Sequence, residues 1–175
     1  MTCREVSLTE EQVFQFNQDG FLIIENLIDE EMVGRLRARF EPLFAGEYVR
    51  GSHKWPLVEK PGDFHAPTGG YRLTMERAAA AVGVTAPEIV HVEVSAGSCV
   101  LHHGNTWHGS GRNLRPDKVR RSIGVHTLSS ETRFRSSGAG YIYGRYKRAG
   151  DISMDESFFP ILWARNGYRS PHIGE

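Results

Sequence analysis

The segment from Gly97 to His126, which reads GSCVLHHGNTWHGSGRNLRPDKVRRSIGVH, decides how the chain is interpreted. It contains an apolar β-type run, a Gly-rich turn around His108, and a second β-type run that opens with two arginines. Short β-type runs punctuated by Gly and Pro are typical of antiparallel β proteins. The segment therefore predicts two strands joined by a loop, with His108 close to a strand end.

The same β-type pattern extends over most of the chain after Val49. Four runs are rich in branched and aromatic residues and are bounded by turn residues, which predicts strands. They are Tyr71–Thr74, Ile89–Val94, Ser98–His103 and Arg120–Leu128. An Ala-rich stretch, Met75–Val82, favours a short helix by intrinsic propensity.

The first 46 residues follow a different pattern, which predicts helix, strand and helix. Ser7 to Glu10 resemble a capping box that starts a helix over residues 9–18. The compact apolar run Phe21–Ile24 is too short for a helix and predicts a buried strand. Asp29 then caps a second amphipathic helix, which Gly46 is expected to close.

Composition limits the classes of function. The 175 residues suit one domain over 1–175, with a lead-in at 1–46, a β core at 47–135 and a C-terminal wrap at 136–175 whose Phe and Trp residues we expect in the core. Lys plus Arg and Asp plus Glu both number 21, which argues against nucleic acid and membrane surfaces as partners. No apolar run approaches the roughly 20 residues of a membrane span. Two cysteines agree with a cytoplasmic protein.

The segment His108–Asn113, HGSGRN, resembles a motif of the phytanoyl-CoA dioxygenase family, whose members are iron(II)- and 2-oxoglutarate-dependent oxygenases. The resemblance implies that His108 is a metal ligand and that an arginine on the next strand binds the distal carboxylate of 2-oxoglutarate. More loosely, residues 16–39, the segment GSHKWP at 51–56 and the C-terminal tail also resemble family segments.

Strand parity selects Arg120 over Arg121 for the carboxylate contact. Alternate residues of a strand face opposite sides, so Arg120 shares its face with small or polar residues, whereas Arg121 shares its face with Ile123 and Val125. The planar guanidinium of Arg120 can donate two charge-assisted hydrogen bonds to a carboxylate. Ser110 is expected to add a hydroxyl to the same carboxylate.

The resemblance also exposes a gap in the expected metal site. Family members carry a His-x-Asp pair between the N-terminal helices and the GSHKWP-like segment, and here only residues 46–50 separate these two landmarks. The pattern indicates an internal deletion that removes two of the three iron ligands, or a sequence that omits residues near 49–51. We therefore expect weak or no iron(II) binding and millimolar dicarboxylate binding through Arg120.

Other histidines offer partial replacements for the missing ligands. His91 and Glu93 form the only His-x-acid triplet and would point the same way from a strand, so a site of His91, Glu93 and His108 stays open. His102 and His103 are adjacent in a predicted strand, so at most one of them faces the same side as the site.

The resemblance implies a jelly-roll or double-stranded β-helix core, cupin-like, with the helices packed outside. The core is expected to be incomplete, because four or five strands are visible where a jelly roll uses eight, and a homo-oligomer would pair the open edges. Three functions follow: an iron(II)- and 2-oxoglutarate-dependent dioxygenase acting on a small organic substrate, an inactive family member, and a metal hydrolase or isomerase using His91 and Glu93.

Overall fold

A computed structural model describes residues 7–37, 44–57, 71–110, 116–117, 124–137 and 142–173. The chain forms two compact units, one within residues 4–123 and one made of residues 1–3 and 124–175. The prediction of a single domain over 1–175 stays a prediction. Among the described residues, no helix is both long and apolar enough to cross a membrane.

The first helix, α1, spans Glu10–Asp19 and confirms the predicted helix. Its capping box lies two residues later than expected: the Thr9 hydroxyl accepts from the Gln12 backbone, and the Gln12 side chain accepts from the Thr9 backbone. The helix ends at Gly20, which has a left-handed φ of 83° and donates its N–H to the Phe16 carbonyl.

The second helix, α2, spans Glu30–Arg37, and the Asp29 carboxylate caps it by accepting from the Met32 backbone. The prediction that this helix runs to Gly46 is wrong, because Phe44–Val49 forms a strand, β2. Pairing of this strand with two neighbouring strands outweighs the helical pattern of its first residues. Residues 38–43 lie outside the described part.

The third helix, α3, spans Tyr71–Ala81. It confirms the predicted Ala-rich helix Met75–Val82 except for Val82, which follows the end of α3. The predicted strand at Tyr71–Thr74 is wrong, because those residues form the first turn of this helix. Met75, Ala78 and Ala79 are buried at the i, i+3 and i+4 spacing of one helix face. Burial of this face outweighs the weak β propensity of the preceding residues.

The described residues of the first unit also form two small antiparallel sheets. Strand β1, Phe21–Ile24, pairs with β4, Cys99–His102. Strand β2 lies between β3, Ile89–Val94, and β5, His108–Gly109. The predicted strands at Phe21–Ile24, Ile89–Val94 and Ser98–His103 are therefore confirmed, and the unit consists of small antiparallel sheets with a few helices.

Both sheets contribute to one hydrophobic cluster. Its centre is Phe21 of β1, Tyr48 of β2 and Val92 of β3, each at most 3% exposed. The Phe21 and Tyr48 rings stack at 5.1 Å between centroids. Partly buried aliphatic residues surround this centre, namely Ile23, Val90, Val94 and Val100. The cluster joins strands that are far apart in sequence.

In the second unit, the described residues, within 124–137 and 142–173, form aromatic contacts and no strand. Phe159 contacts the rings of Phe134, Tyr143 and Tyr146, the last two from a 3-10 helix at Ile142–Tyr146. The part of the predicted strand Arg120–Leu128 that is described, residues 124–128, is not a strand. The prediction that the tail Phe and Trp residues are core is wrong for Phe158 and Trp163, which are 54% and 76% exposed, because the small unit has too little interior to cover them.

Candidate functional site

Two histidines from different sheets meet beside the hydrophobic cluster. On one sheet, His102 lies opposite Phe21, and on the other, His108 lies opposite Tyr48. The His102 and His108 ring centroids are 4.2 Å apart, and both rings contact the Tyr48 ring, at 5.7 and 5.9 Å. The fold therefore brings two imidazole rings together against the ring of Tyr48.

The tautomer of His108 follows from its hydrogen bond. Its Nδ1 lies 2.8 Å from the Thr106 carbonyl oxygen, and a carbonyl can only accept, so Nδ1 carries the proton. In the neutral ring, Nε2 then holds the lone pair that a metal ion would need. A backbone carbonyl bonded to the other ring nitrogen is a frequent arrangement for metal-binding histidines.

The GSHKWP segment supports the loop that carries His108. The Ser52 hydroxyl, which is buried, accepts from the Trp107 backbone at 2.9 Å and donates to the Val49 carbonyl. The Trp107 carbonyl in turn accepts from the Val49 backbone at 2.9 Å. Through these bonds, Ser52 holds the backbone of Trp107, the residue immediately before His108, in place.

A second set of bonds anchors the same loop to the end of α1. The Gly20 carbonyl accepts from the His103 backbone at 2.7 Å and from the buried Thr106 hydroxyl at 2.9 Å. His53 packs against the ring of His103, with centroids 5.4 Å apart, and its Nε2 donates to the Asn17 carbonyl. Thus His102 faces His108, whereas His103 faces the helix end.

Burial raises the pKa of Tyr48 to about 12, because the phenolate would lose its hydration in the cluster. The folded pKa exceeds the unfolded value near 10, so stability is lost as the pH rises from about 10 towards 12. We expect the free energy of unfolding at pH 12 to fall by up to about 3 kcal/mol more in the parent chain than in Tyr48→Phe. Urea denaturation at stepped pH measures this, and equal slopes for both proteins would contradict it.

The alternative site of His91, Glu93 and His108 is not formed. The register pairs Glu47 with both His91 and Gly109, whereas Tyr48 pairs with His108, so His91 and His108 point to opposite faces of the sheet. His91 and Glu93 are exposed on either side of the buried Val92. His91 instead lies 3.2 Å from the Glu47 carboxylate, which also accepts from Arg72. The hypothesis of a hydrolase or isomerase built on these residues is therefore wrong.

Of the two residues predicted to bind 2-oxoglutarate, Ser110 lies within the described residues and Arg120 does not. Ser110 is exposed and follows β5 directly. Arg120 and Arg121 lie outside the described residues, so the parity argument stays a prediction. His108 shares a face of its sheet with the buried Tyr48 and lies beside His102, a residue that the sequence singled out only as one of two possibilities.

The described residues do not complete the metal centre of an iron(II) oxygenase. Within residues 7–37, 44–57, 71–110 and the later described segments, no three His, Cys, Asp or Glu side chains lie close enough to hold one ion. An iron(II) facial triad needs two imidazoles and one carboxylate. His108 and His102 supply imidazoles, and no carboxylate within the described part joins them, so these residues alone do not fit that group.

Comparison with known proteins agrees with the motif around His108. The profile of the phytanoyl-CoA dioxygenase family matches residues 45–122, which include all of β2 after Phe44, the GSHKWP segment, α3 and the strands that carry His102 and His108. No curated protein and no solved structure matches the chain. The resemblance to the phytanoyl-CoA dioxygenase family is therefore confirmed over residues 45–122 of this chain.

Proposed function

We propose that this chain has the function of its family, an iron(II)- and 2-oxoglutarate-dependent dioxygenase that hydroxylates a small organic substrate. The family match suggests a dioxygenase-type function. The observation that carries the proposal is His108, whose Nδ1 bonds to the Thr106 carbonyl and whose Nε2 is therefore able to bind a metal. Arg120 and Ser110 would bind the distal carboxylate of 2-oxoglutarate.

A jelly-roll core belongs to this proposal. The two antiparallel sheets share one hydrophobic cluster, as the two layers of a sandwich do. His102 and His108, one from each sheet, lie beside this cluster in contact with the Tyr48 ring, which supports a ligand site next to a jelly-roll core. We further propose that the chain forms a homo-oligomer in which the open sheet edges pair between copies. We also propose that the protein is cytoplasmic.

A second candidate is a family member that keeps the fold and a dicarboxylate contact without turnover. The specific observation in its favour is that no three potential metal ligands gather among the described residues. In this case, Arg120 alone would contribute a charge-assisted contact of about 1.5 to 3 kcal/mol, which corresponds to millimolar affinity at best.

Anaerobic calorimetry with 2-oxoglutarate, with and without iron(II), separates the two functions. The dioxygenase proposal expects micromolar binding that iron(II) strengthens and that both Arg120→Ala and His108→Ala weaken, because the co-substrate is held at both ends. Arg121→Ala is the matched control and should bind as the parent chain does. Millimolar binding of 2-oxoglutarate that is the same with and without iron(II), and that is lost in Arg120→Ala, would reject the dioxygenase function. It would support the inactive family member.

A further inference from the structure

We propose that the loop formed by residues 161–170, the Trp163 loop, binds the surface of an anionic phospholipid bilayer. Leu162 and Trp163 of this loop are 53% and 76% exposed. Adjacent large apolar side chains in contact with water mark interaction surfaces. Tryptophan is enriched where hydrocarbon meets water, because its ring is apolar and its N–H is polar. The proposal concerns the second unit and does not depend on the dioxygenase function.

Hydrogen bonds at the base and at the tip restrain the Trp163 loop. The buried Ser170 donates its N–H to the Ile161 carbonyl at 2.9 Å, and its hydroxyl accepts from the Ile161 backbone at 2.7 Å. The same hydroxyl donates to the Glu156 carboxylate. At the tip, the Gly167 N–H donates to the Ala164 carbonyl at 2.8 Å. The loop is therefore ordered before it meets a partner, which lowers the entropy cost of binding.

The charge of this segment selects the kind of bilayer. Residues 157–174 contain Arg165 and Arg169 and no Asp or Glu, so the zero net charge of the whole chain hides a local excess of positive charge. Both arginines are exposed. Glu156 lies at the base of the loop, where its carboxylate accepts from the Tyr168 hydroxyl at 2.8 Å. Because basic side chains near a membrane are attracted to anionic headgroups, the loop should prefer bilayers that contain phosphatidylserine.

A second pair of exposed aromatic and basic side chains lies in the same unit. Phe158 is more than half exposed and packs against the Tyr146 ring, with centroids 4.8 Å apart. Arg145 lies over the Tyr146 ring at 5.7 Å and donates to the neutral Ile142 carbonyl, and neither contact cancels its charge. Segments that lie in a membrane interface combine these two features, since their apolar side chains enter the headgroup region while Lys and Arg stay in water.

A bilayer fits the Trp163 loop better than a protein partner does. A standard protein interface uses roughly 20 to 30 residues on each side and needs matching shapes. The loop is shorter than that, and its apolar side chains are adjacent in sequence rather than spread over a broad face. A bilayer surface requires no matching shape, because lipids rearrange around the side chains that enter it.

Vesicle co-sedimentation of the 175-residue chain tests the proposal. The chain should bind vesicles of phosphatidylcholine mixed with phosphatidylserine more tightly than vesicles of phosphatidylcholine alone, and added salt should weaken the binding because it screens charge. Arg165→Gln and Arg169→Gln should each weaken binding about fivefold, which corresponds to about 1 kcal/mol per charge. Trp163→Ala should weaken it at least about tenfold, because a large apolar group no longer leaves water.

Two matched controls come from the first unit. Arg77 is an exposed arginine of α3, and Phe14 is an exposed aromatic residue of α1. Arg77→Gln and Phe14→Ala remove the same kinds of group as the loop variants do, and both should bind the mixed vesicles as the parent chain does. Equal binding of the parent chain and Trp163→Ala, or equal binding to vesicles with and without phosphatidylserine, would overturn the proposal.

Tryptophan fluorescence of the parent chain gives a readout that does not depend on how the variants fold. Its emission should shift to shorter wavelength when mixed vesicles are added, and lipids brominated on their acyl chains should quench it. Trp163→Phe, which keeps Trp55 and Trp107, should show neither change. An emission shift that follows the protein concentration without lipid would instead show that a second copy of the chain covers the loop, and the bilayer proposal would be rejected.

Discussion

The Gly20→Ala substitution is expected to lower the free energy of unfolding by at least about 3 kcal/mol relative to the parent chain. Gly20 ends α1 with φ at 83°, where an L-residue is strained. A Cβ at this position would lie 2.4 Å from His53 Nδ1 and 2.8 Å from the Thr106 hydroxyl. The free-energy costs of the backbone strain and of the steric clash add. The clash involves the side chains of His53 and Thr106, which anchor the loop carrying His108.

Two other glycines separate the strain from the clash. Gly83 also has a positive φ, 79°, but a Cβ there would meet nothing within 4 Å, so Gly83→Ala should lose only about 1 to 2 kcal/mol. Gly34 lies in α2 with open space around it, and Gly34→Ala should stabilise the chain by about 0.5 to 1 kcal/mol. Urea denaturation followed by circular dichroism measures all three. Equal losses for Gly20→Ala and Gly83→Ala would show that the contact with His53 is unimportant.

Phe21→Ala is expected to lower the free energy of unfolding by about 3 to 5 kcal/mol, the usual range for a buried aromatic ring. Phe21 is 3% exposed, stacks on Tyr48 and pairs across the strands with His102. Its removal leaves a cavity where the two sheets meet, and the surrounding strands can close it only in part.

Phe14→Ala is the matched control, because Phe14 of α1 is 58% exposed and should change stability by less than about 0.5 kcal/mol. A double-mutant cycle of Phe21→Ala with Tyr48→Ala should also show a coupling of about 0.5 to 1.5 kcal/mol from the stacked rings. Similar losses for Phe21→Ala and Phe14→Ala would mean that the cluster does not hold the sheets together.

Local patterns predicted the elements where the neighbouring residues alone decide the structure. The apolar run Phe21–Ile24 and the branched run Ile89–Val94 are strands, and the Ala-rich stretch after Met75 is helical. The errors lie where tertiary contacts compete with local preference. The helical pattern of the second helix predicts helix up to Gly46, yet Phe44–Val49 forms the central strand between β3 and β5.

The sequence by itself identified the segment that resembles the family and predicted a metal-ligand role for His108, because the HGSGRN motif and its distance from GSHKWP can be read without coordinates. Strand periodicity also limited His102 and His103 to opposite faces. Only the tertiary structure decided that His102 faces His108 and that His91 and Glu93 face away from it. The reason is physical: periodicity defines which residues share a face within one strand, whereas the register between strands distant in sequence defines which faces meet.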